Sequence, residues 1–300
     1  MNNFKFIILI LLTTFLMGSS FAVGKIGLSY SSPLLLAALR FILAGFIMAA
    51  IVIMLKRPHP TSKGQWIKMF IIGTFQTAGV MGGIFLSLRT ITASESSILT
   101  FSNPLLVVVF STIFLQARYK LYQWIGVLLG LVGVVITMGA QIEFNIGILF
   151  GILSAVFWAI STLLVKKWGT SFDTWVLSAY QMFFGGLLLL LASFILEKPY
   201  FILNVNSLFI LLWLSIMSSI VQFAVWYYLL QKGDPGKTSA FLFLAPFFGV
   251  LSGWLLLGEK LYPSIIIGGL FIISGIYLVN RNFQQKNNLV KNTLHINKSV

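Results

Sequence analysis

The chain has 300 residues, 58 % of them hydrophobic and only 9 % charged, with a formal net charge of +14. A soluble domain carries about 25 % charged residues, so this composition excludes a water-facing surface and leaves lipid as the main solvent. No cysteine is present, which excludes disulfides, thiolate nucleophiles and iron–sulfur ligation and leaves the redox compartment unread.

Ten apolar runs follow one another, near residues 4–25, 33–55, 66–88, 94–116, 122–139, 145–165, 174–196, 207–230, 238–257 and 262–279. Each approaches the ~20 residues that cross a hydrocarbon core of roughly 30 Å. The first run, with Lys5 before it and small residues after it, has the look of a secretory leader. It is long enough to span, however, and the internal repeat described below needs it, so it is read as helix 1. Helix 2 holds one arginine, Arg40, in the stretch LLAALRFILAG. Counted from Pro33 it lies roughly 10 Å deep at 1.5 Å per residue. Four roles stay open for it: snorkelling, pairing with Glu95 at the start of helix 4, gating, and attraction of a substrate carboxylate.

Further polar and aromatic groups fall at mid-depth, where they are costly in lipid and are expected to face an interior. Helix 3 carries Gln76 and Thr77, helix 6 Trp158 and Thr162, helix 7 Tyr180 and Gln181, and helix 8 Gln222 and Trp226. Gln76, Trp158, Tyr180, Gln222, Trp226 and Arg40 are the candidate substrate-binding residues. Each has a plainer reading: amides bond between helices, hydroxyls bond their own helix carbonyls, and tryptophans anchor at the membrane interface. Pro104 and Pro246 sit within helices 4 and 9, where proline removes a backbone hydrogen bond. With Arg40 and Glu95 they form the gating or coupling candidates.

The basic charge is topological. With a cytoplasmic N-terminus, fifteen of the twenty Lys and Arg residues fall on the inner side, four (Lys25, Arg89, Lys198, Lys260) on the outer side, and Arg40 within a span. This is the positive-inside asymmetry, and it places both termini in the cytoplasm. It also removes any need for a nucleic-acid partner.

Sliding the sequence by 142 residues lays FSNPLLVVVFSTIFLQARYKLYQWIGVLLGLVG over FLAPFFGVLSGWLLLGEKLYPSIIIGGLFIISG. Pro104 then meets Pro246, Gly126 meets Gly268, Gly133 meets Gly275, and Ser97 meets Ser239. A slide of 141 does the same earlier in the chain: Lys25 meets Lys166, Gly45 meets Gly186, and Arg40 meets Gln181. Shared proline and glycine across five helices points to duplication. A copy that begins after five crossings starts on the opposite side, so the halves are inverted repeats, as in many secondary transporters.

On these residues (the 5+5 helices, AALRFILAG in helix 2, FWAISTLLVKK in helix 6, and FLAPFFGVLSGWLLLGEKL across helices 9 and 10) the chain resembles the EamA-type drug/metabolite transporter family over residues 4–280. The first copy reads LQARY where the second has the glycine and acid of GEKL. The resemblance implies movement of small metabolites, often amino acids and related solutes, outward from a bacterial cytoplasm.

The sequence thus predicts an all-α polytopic membrane protein whose ten transmembrane helices form two inverted five-helix repeats, residues 1–140 and 141–280, with a disordered cytoplasmic tail at 281–300. No Asp, Glu or His lies in the middle of a span, so neither a proton-relay carboxylate nor a nucleophile–base pair nor a metal cluster can be assembled, and no Walker loop occurs. The expected protein is not an enzyme, needs no cofactor or metal, and sits in the cell membrane. Its expected partners are a small-molecule metabolite and membrane lipid, with a homodimer left open. Import or facilitated passage of a solute, and a non-transporting role in membrane assembly or lipid handling, are the rival functions.

Overall fold

A computed structural model describes residues 3–137, 145–232 and 241–296. The junction expected near residue 140, and Ser239 of the repeat, lie outside the described residues. Among the described residues the chain forms ten helical rods: α1 (Asn3–Gly27), α2 (Pro33–Met54), α3 (Lys63–Ser87), α4 (Ala93–Leu115), α5 (Leu121–Thr137), α6 (Ile146–Trp168), α7 (Thr174–Leu196), α8 (205–232), α9 (Leu244–Leu257) and α10 (Pro263–Ile296). Seven of them, α1 to α4 and α6 to α8, are long and apolar enough to cross a membrane, while α5, α9 and the apolar part of α10 (Pro263–Val279) are shorter. The chain is therefore a multi-pass membrane protein.

The rod ends follow local chemistry. Pro33 opens α2, where its missing N–H costs nothing. Capping boxes open α3 (Ser62 with Gln65), α4 (Thr92 with Glu95) and α8 (Asn204 with Ser207), and Asp173 accepts from the Trp175 and Val176 amides at the start of α7. Gly258, at φ 65°, stops α9 in the left-handed region that glycine enters without a Cβ penalty.

Two expectations change. Pro104 and Pro246 do not interrupt continuous helix. The α4 rod breaks at Phe101–Ser102 and restarts at Asn103 with Pro104 in the new first turn. Pro246 occupies the first turn of α9, directly after a 3-10 turn at Phe241–Phe243. In both places the lost N–H would have been unpaired in any case. The tail expected to be disordered instead continues α10 as helix to Ile296; no glycine or proline follows Gly275 to stop it.

Packing is close and reciprocal. The most extensive pairings are α2 with α7 and α5 with α10, followed by α3 with α6 and α1 with α9. Gly45 lies on the backbone of Phe183 while Gly186 lies on that of Phe41 and Ile42. Gly126 faces the Gly275 carbonyl and Gly133 the Gly268 carbonyl, and each partner returns the contact. Without a hydrophobic force between helices in lipid, such small-residue approaches supply the association. Large apolar side chains cover the outside, Phe46, Ile53, Phe114, Leu191, Phe194 and Leu255 among them.

Gly275→Val is expected to cost about 1–3 kcal/mol or more through overpacking against the α5 backbone. Gly64→Ala, whose new methyl would meet nothing within 4 Å, is expected to be neutral. Thermal unfolding of the purified variants in detergent compares the two.

Candidate functional site

The α3 and α8 rods share an anomaly. Each is α-helical at both ends but widens to π-helix midway, over Thr74–Gly79 in α3 and Trp213–Val221 in α8. Such widening re-aims side chains and recurs at functional sites. In α8 it presents Ser218 and Ser219 to α2. The Arg40 Nε donates to Ser219 Oγ at 2.9 Å and Nη2 to the Ser218 carbonyl at 3.0 Å. Ser219 Oγ in turn donates to the Leu214 carbonyl, five residues back along the widened turn. In α3 the corresponding turn presents Thr77 to α7, and Thr77 Oγ1 donates to Gln181 Oε1 at 2.7 Å. The two buried contacts occupy matching places, because Arg40 aligns with Gln181 and the widened turns align with each other.

Gln76 of one widened turn and Ser218 of the other both line a central cavity of about 40 Å³, room for roughly three waters. Four of the six substrate-binding candidates, Arg40, Gln76, Trp158 and Gln222, line it together. Arg40 and Gln222 are each only 4 % exposed. The Gln76 amide oxygen accepts from Ser161 Oγ at 2.7 Å. Trp158 packs on Phe101, with ring centroids 5.5 Å apart, and Phe101 on Phe21 at 5.7 Å. An aromatic wall thus faces a guanidinium and two amides.

The other two candidates lie elsewhere. Tyr180 belongs to a cluster with Trp66 and Phe184, its hydroxyl 3.3 Å from His59 Nδ1. Beside it Arg57 pairs with Asp173 at 3.5 Å, at the end of the bundle where α2 finishes and α7 begins. Trp226 is half-buried one turn beyond Gln222 and outside the cavity lining.

The ion pair suggested between Arg40 and Glu95 is not formed. The Glu95 carboxylate accepts from the Thr92 amide and hydroxyl, both at 2.9 Å, and completes the α4 capping box. Two other carboxylates cap helices from a distance at this same end. Glu259 accepts from the Ala93 and Ser94 amides and the Ser94 hydroxyl, all within 3.0 Å. Glu197 accepts from the Leu34 and Leu35 amides at the start of α2. Lys25 Nζ donates to the Ile91 carbonyl, and Ser31 bridges to Phe201. Helix N-termini attract such anions through their free N–H groups and dipole. Reading the sequence for mid-span polarity missed Glu197 and Glu259, which lie beyond the spans. It also missed Ser218 and Ser219, whose spacing with Ser215 in an apolar helix was a usable signal.

A model of the EamA-like transporter family matches residues 4–139 and again residues 145–281. The chain belongs to this family. It is 25 % identical over 284 residues to the uncharacterized transporter YoaV of Bacillus subtilis, an alignment covering 92 % of this chain and 97 % of that one. It is 28 % identical over 293 residues to an uncharacterized transporter of Archaeoglobus fulgidus, covering 94 % and 100 % of the two chains. A crystal structure of a protein 21 % identical in sequence superposes with a TM-score of 0.65 over 92 % of this chain and 98 % of that one, which shows the shared fold. The protein is a membrane transporter of this family.

Two outcomes are expected. Single cysteines at Gln76, Trp158 and Gln222 are labelled by a water-soluble maleimide in intact membranes, while one at the outward-facing Leu191 is not; the cysteine-free background makes the assay direct. Glu259→Gln lowers stability by about 1–2 kcal/mol through weakened charge-assisted bonds. Glu95→Gln costs less, since glutamine also completes a capping box; thermal unfolding in detergent ranks the two.

Proposed function

We propose that the protein is a secondary transporter working by alternating access, with residues 1–140 and 141–280 as inverted repeats. We read it as exporting a small metabolite, an amino acid or a related amphipathic or aromatic compound, across a bacterial cell membrane. The observation that carries this reading is the matched pair of contacts, Arg40 with Ser219 and Gln181 with Thr77, on the widened turns that flank one cavity. A carrier needs a mid-depth site between two bodies that can exchange conformations, and such an arrangement supplies one.

Helix pairing supports it. Adding five to each helix number turns α1–α9 into α6–α4, α1–α8 into α6–α3, and α3–α7 into α8–α2, and all of these pairs are in contact. Asn145, which caps α6, donates to the Thr90 carbonyl near the start of α4. Helix α6 thus begins at the end of the bundle where α1 finishes. The sign of the loop charges makes this end the outer one, so that both termini are cytoplasmic. Polar contacts join helices at both ends of the bundle, and the small central cavity of about 40 Å³ fits a form between two more open ones.

Metabolite profiling of cells with and without the protein, followed by flux of the changed solute in proteoliposomes, tests the function. Loss of a solute from producing cells is the expected result, and its accumulation would reverse the direction. Reporters fused after helices 1 and 6 are expected on opposite faces of the membrane. The same face for both would remove the inverted arrangement and alternating access with it.

A further inference from the structure

The central cavity holds one ionisable group. Among the described residues its lining contains Arg40 and no carboxylate. Arg40 commits Nε and Nη2 to α8, which leaves its Nη1 amino group without a partner among the described residues, and the Gln222 amide has none among them either. No fully buried side-chain nitrogen or oxygen among the described residues lacks a hydrogen-bond partner. The Nη1 group and the Gln222 amide therefore open onto the cavity. A guanidinium in this setting carries an uncompensated positive charge in a low-dielectric enclosure, and a ligand that brings the opposite charge gains most from it. Facing it is an apolar surface, the wall of Phe21, Phe101 and Trp158.

A second pocket points the same way. At the Glu259 end a vestibule of about 890 Å³ is lined by Lys25, Arg89 and Lys198. These are three of the four basic residues that the sequence places at that end. Its carboxylate, Glu197, is occupied by the amides at the start of α2 and by the Ser193 hydroxyl. Clefts lined by one sign of charge concentrate the opposite ion.

We propose that the transported solute is an organic monocarboxylate with an apolar body, its carboxylate at Arg40 Nη1 and Gln222 and its body against the aromatic wall, taken up when the cavity opens beyond the roughly three-water volume it has here. This rests on the transport reading of the same cavity and narrows its cargo, away from free amino acids and toward the related amphipathic or aromatic compounds. A zwitterion is disfavoured because no carboxylate lines the cavity to receive its ammonium group. A cation meets the guanidinium as like charge.

Isothermal titration calorimetry of the purified full chain in detergent tests this with four solutes of one skeleton: 3-phenylpropionate, phenylalanine, 3-phenylpropionamide and phenethylamine. The anion is expected to bind about tenfold or more tightly than the amide or the zwitterion, and the amine not at all. Arg40→Gln is expected to remove the preference for anion over amide, and Arg40→Lys to keep most of it. Comparison of the four solutes on the unaltered chain stands even if Arg40→Gln fails to fold. Equal binding of anion and amide, tighter binding of phenylalanine, or binding of none of the four overturns the proposal. Proteoliposome flux separates the two claims. A protein that moves a solute yet shows no anion preference keeps the transport reading and overturns this one. Selective anion binding without flux of any solute supports the site and overturns the transport reading.

Discussion

A guanidinium some way inside an apolar bundle sets the terms for much that surrounds it. It cannot shed its charge and it lies away from bulk water, so neighbouring helices must satisfy most of its donors. Here α8 does so by departing from α-helical geometry: the widened turn at Trp213–Val221 brings one hydroxyl and one carbonyl onto the face that α2 presents. That turn places Gln222 directly after it, so the residue that opens onto the cavity is positioned by the same distortion that satisfies the arginine. The cation–ring contact of Arg40 with Phe41, 4.7 Å from guanidinium carbon to centroid, further holds the group in place.

Close backbone approach is the second constraint. Where Gly45 meets Phe183 and Gly186 meets Ile42, a Cβ would push α2 and α7 apart and carry Arg40 and Gln181 away from the widened turns. Glycine between the helices and polar contact at the cavity therefore act together: the first sets the distance at which the second can form. The α5–α10 pair uses the same device away from the cavity, where no predicted binding residue resides, and so reads as scaffold.

How much of this was legible beforehand depends on the range of the interaction. The rods were legible because hydrophobic runs and cap residues are local: Pro33, the Thr92–Glu95 box and Gly258 mark their own helix ends. Gln76, Trp158, Gln222 and Arg40 were legible as a group because depth alone makes such side chains seek an interior, and they do converge on one cavity. Tyr180 and Trp226 satisfied the same criterion of depth, but depth carries no information on rotation about the helix axis, and both point elsewhere. The partner of Arg40 was misjudged for a related reason. Glu95 lies on the same side in sequence terms, yet its carboxylate is held by the helix start it caps, and the hydroxyl of Ser219 on a distant helix takes its place. The widened turns left no mark in composition at all.

The remote carboxylate caps are unevenly shared between the two copies. Glu197 and Glu259 seal helix starts at one end of the molecule, whereas the residues that align with them in the first copy are Lys56 and Ala117, which have no acid group to offer. On the proposed exchange between two open forms, breaking the acid-sealed end costs more than breaking the other. The empty carrier then spends most of its time available to solute on one side of the membrane only, and recovery of the unloaded molecule, rather than passage of the cargo, becomes the step most sensitive to those two acids.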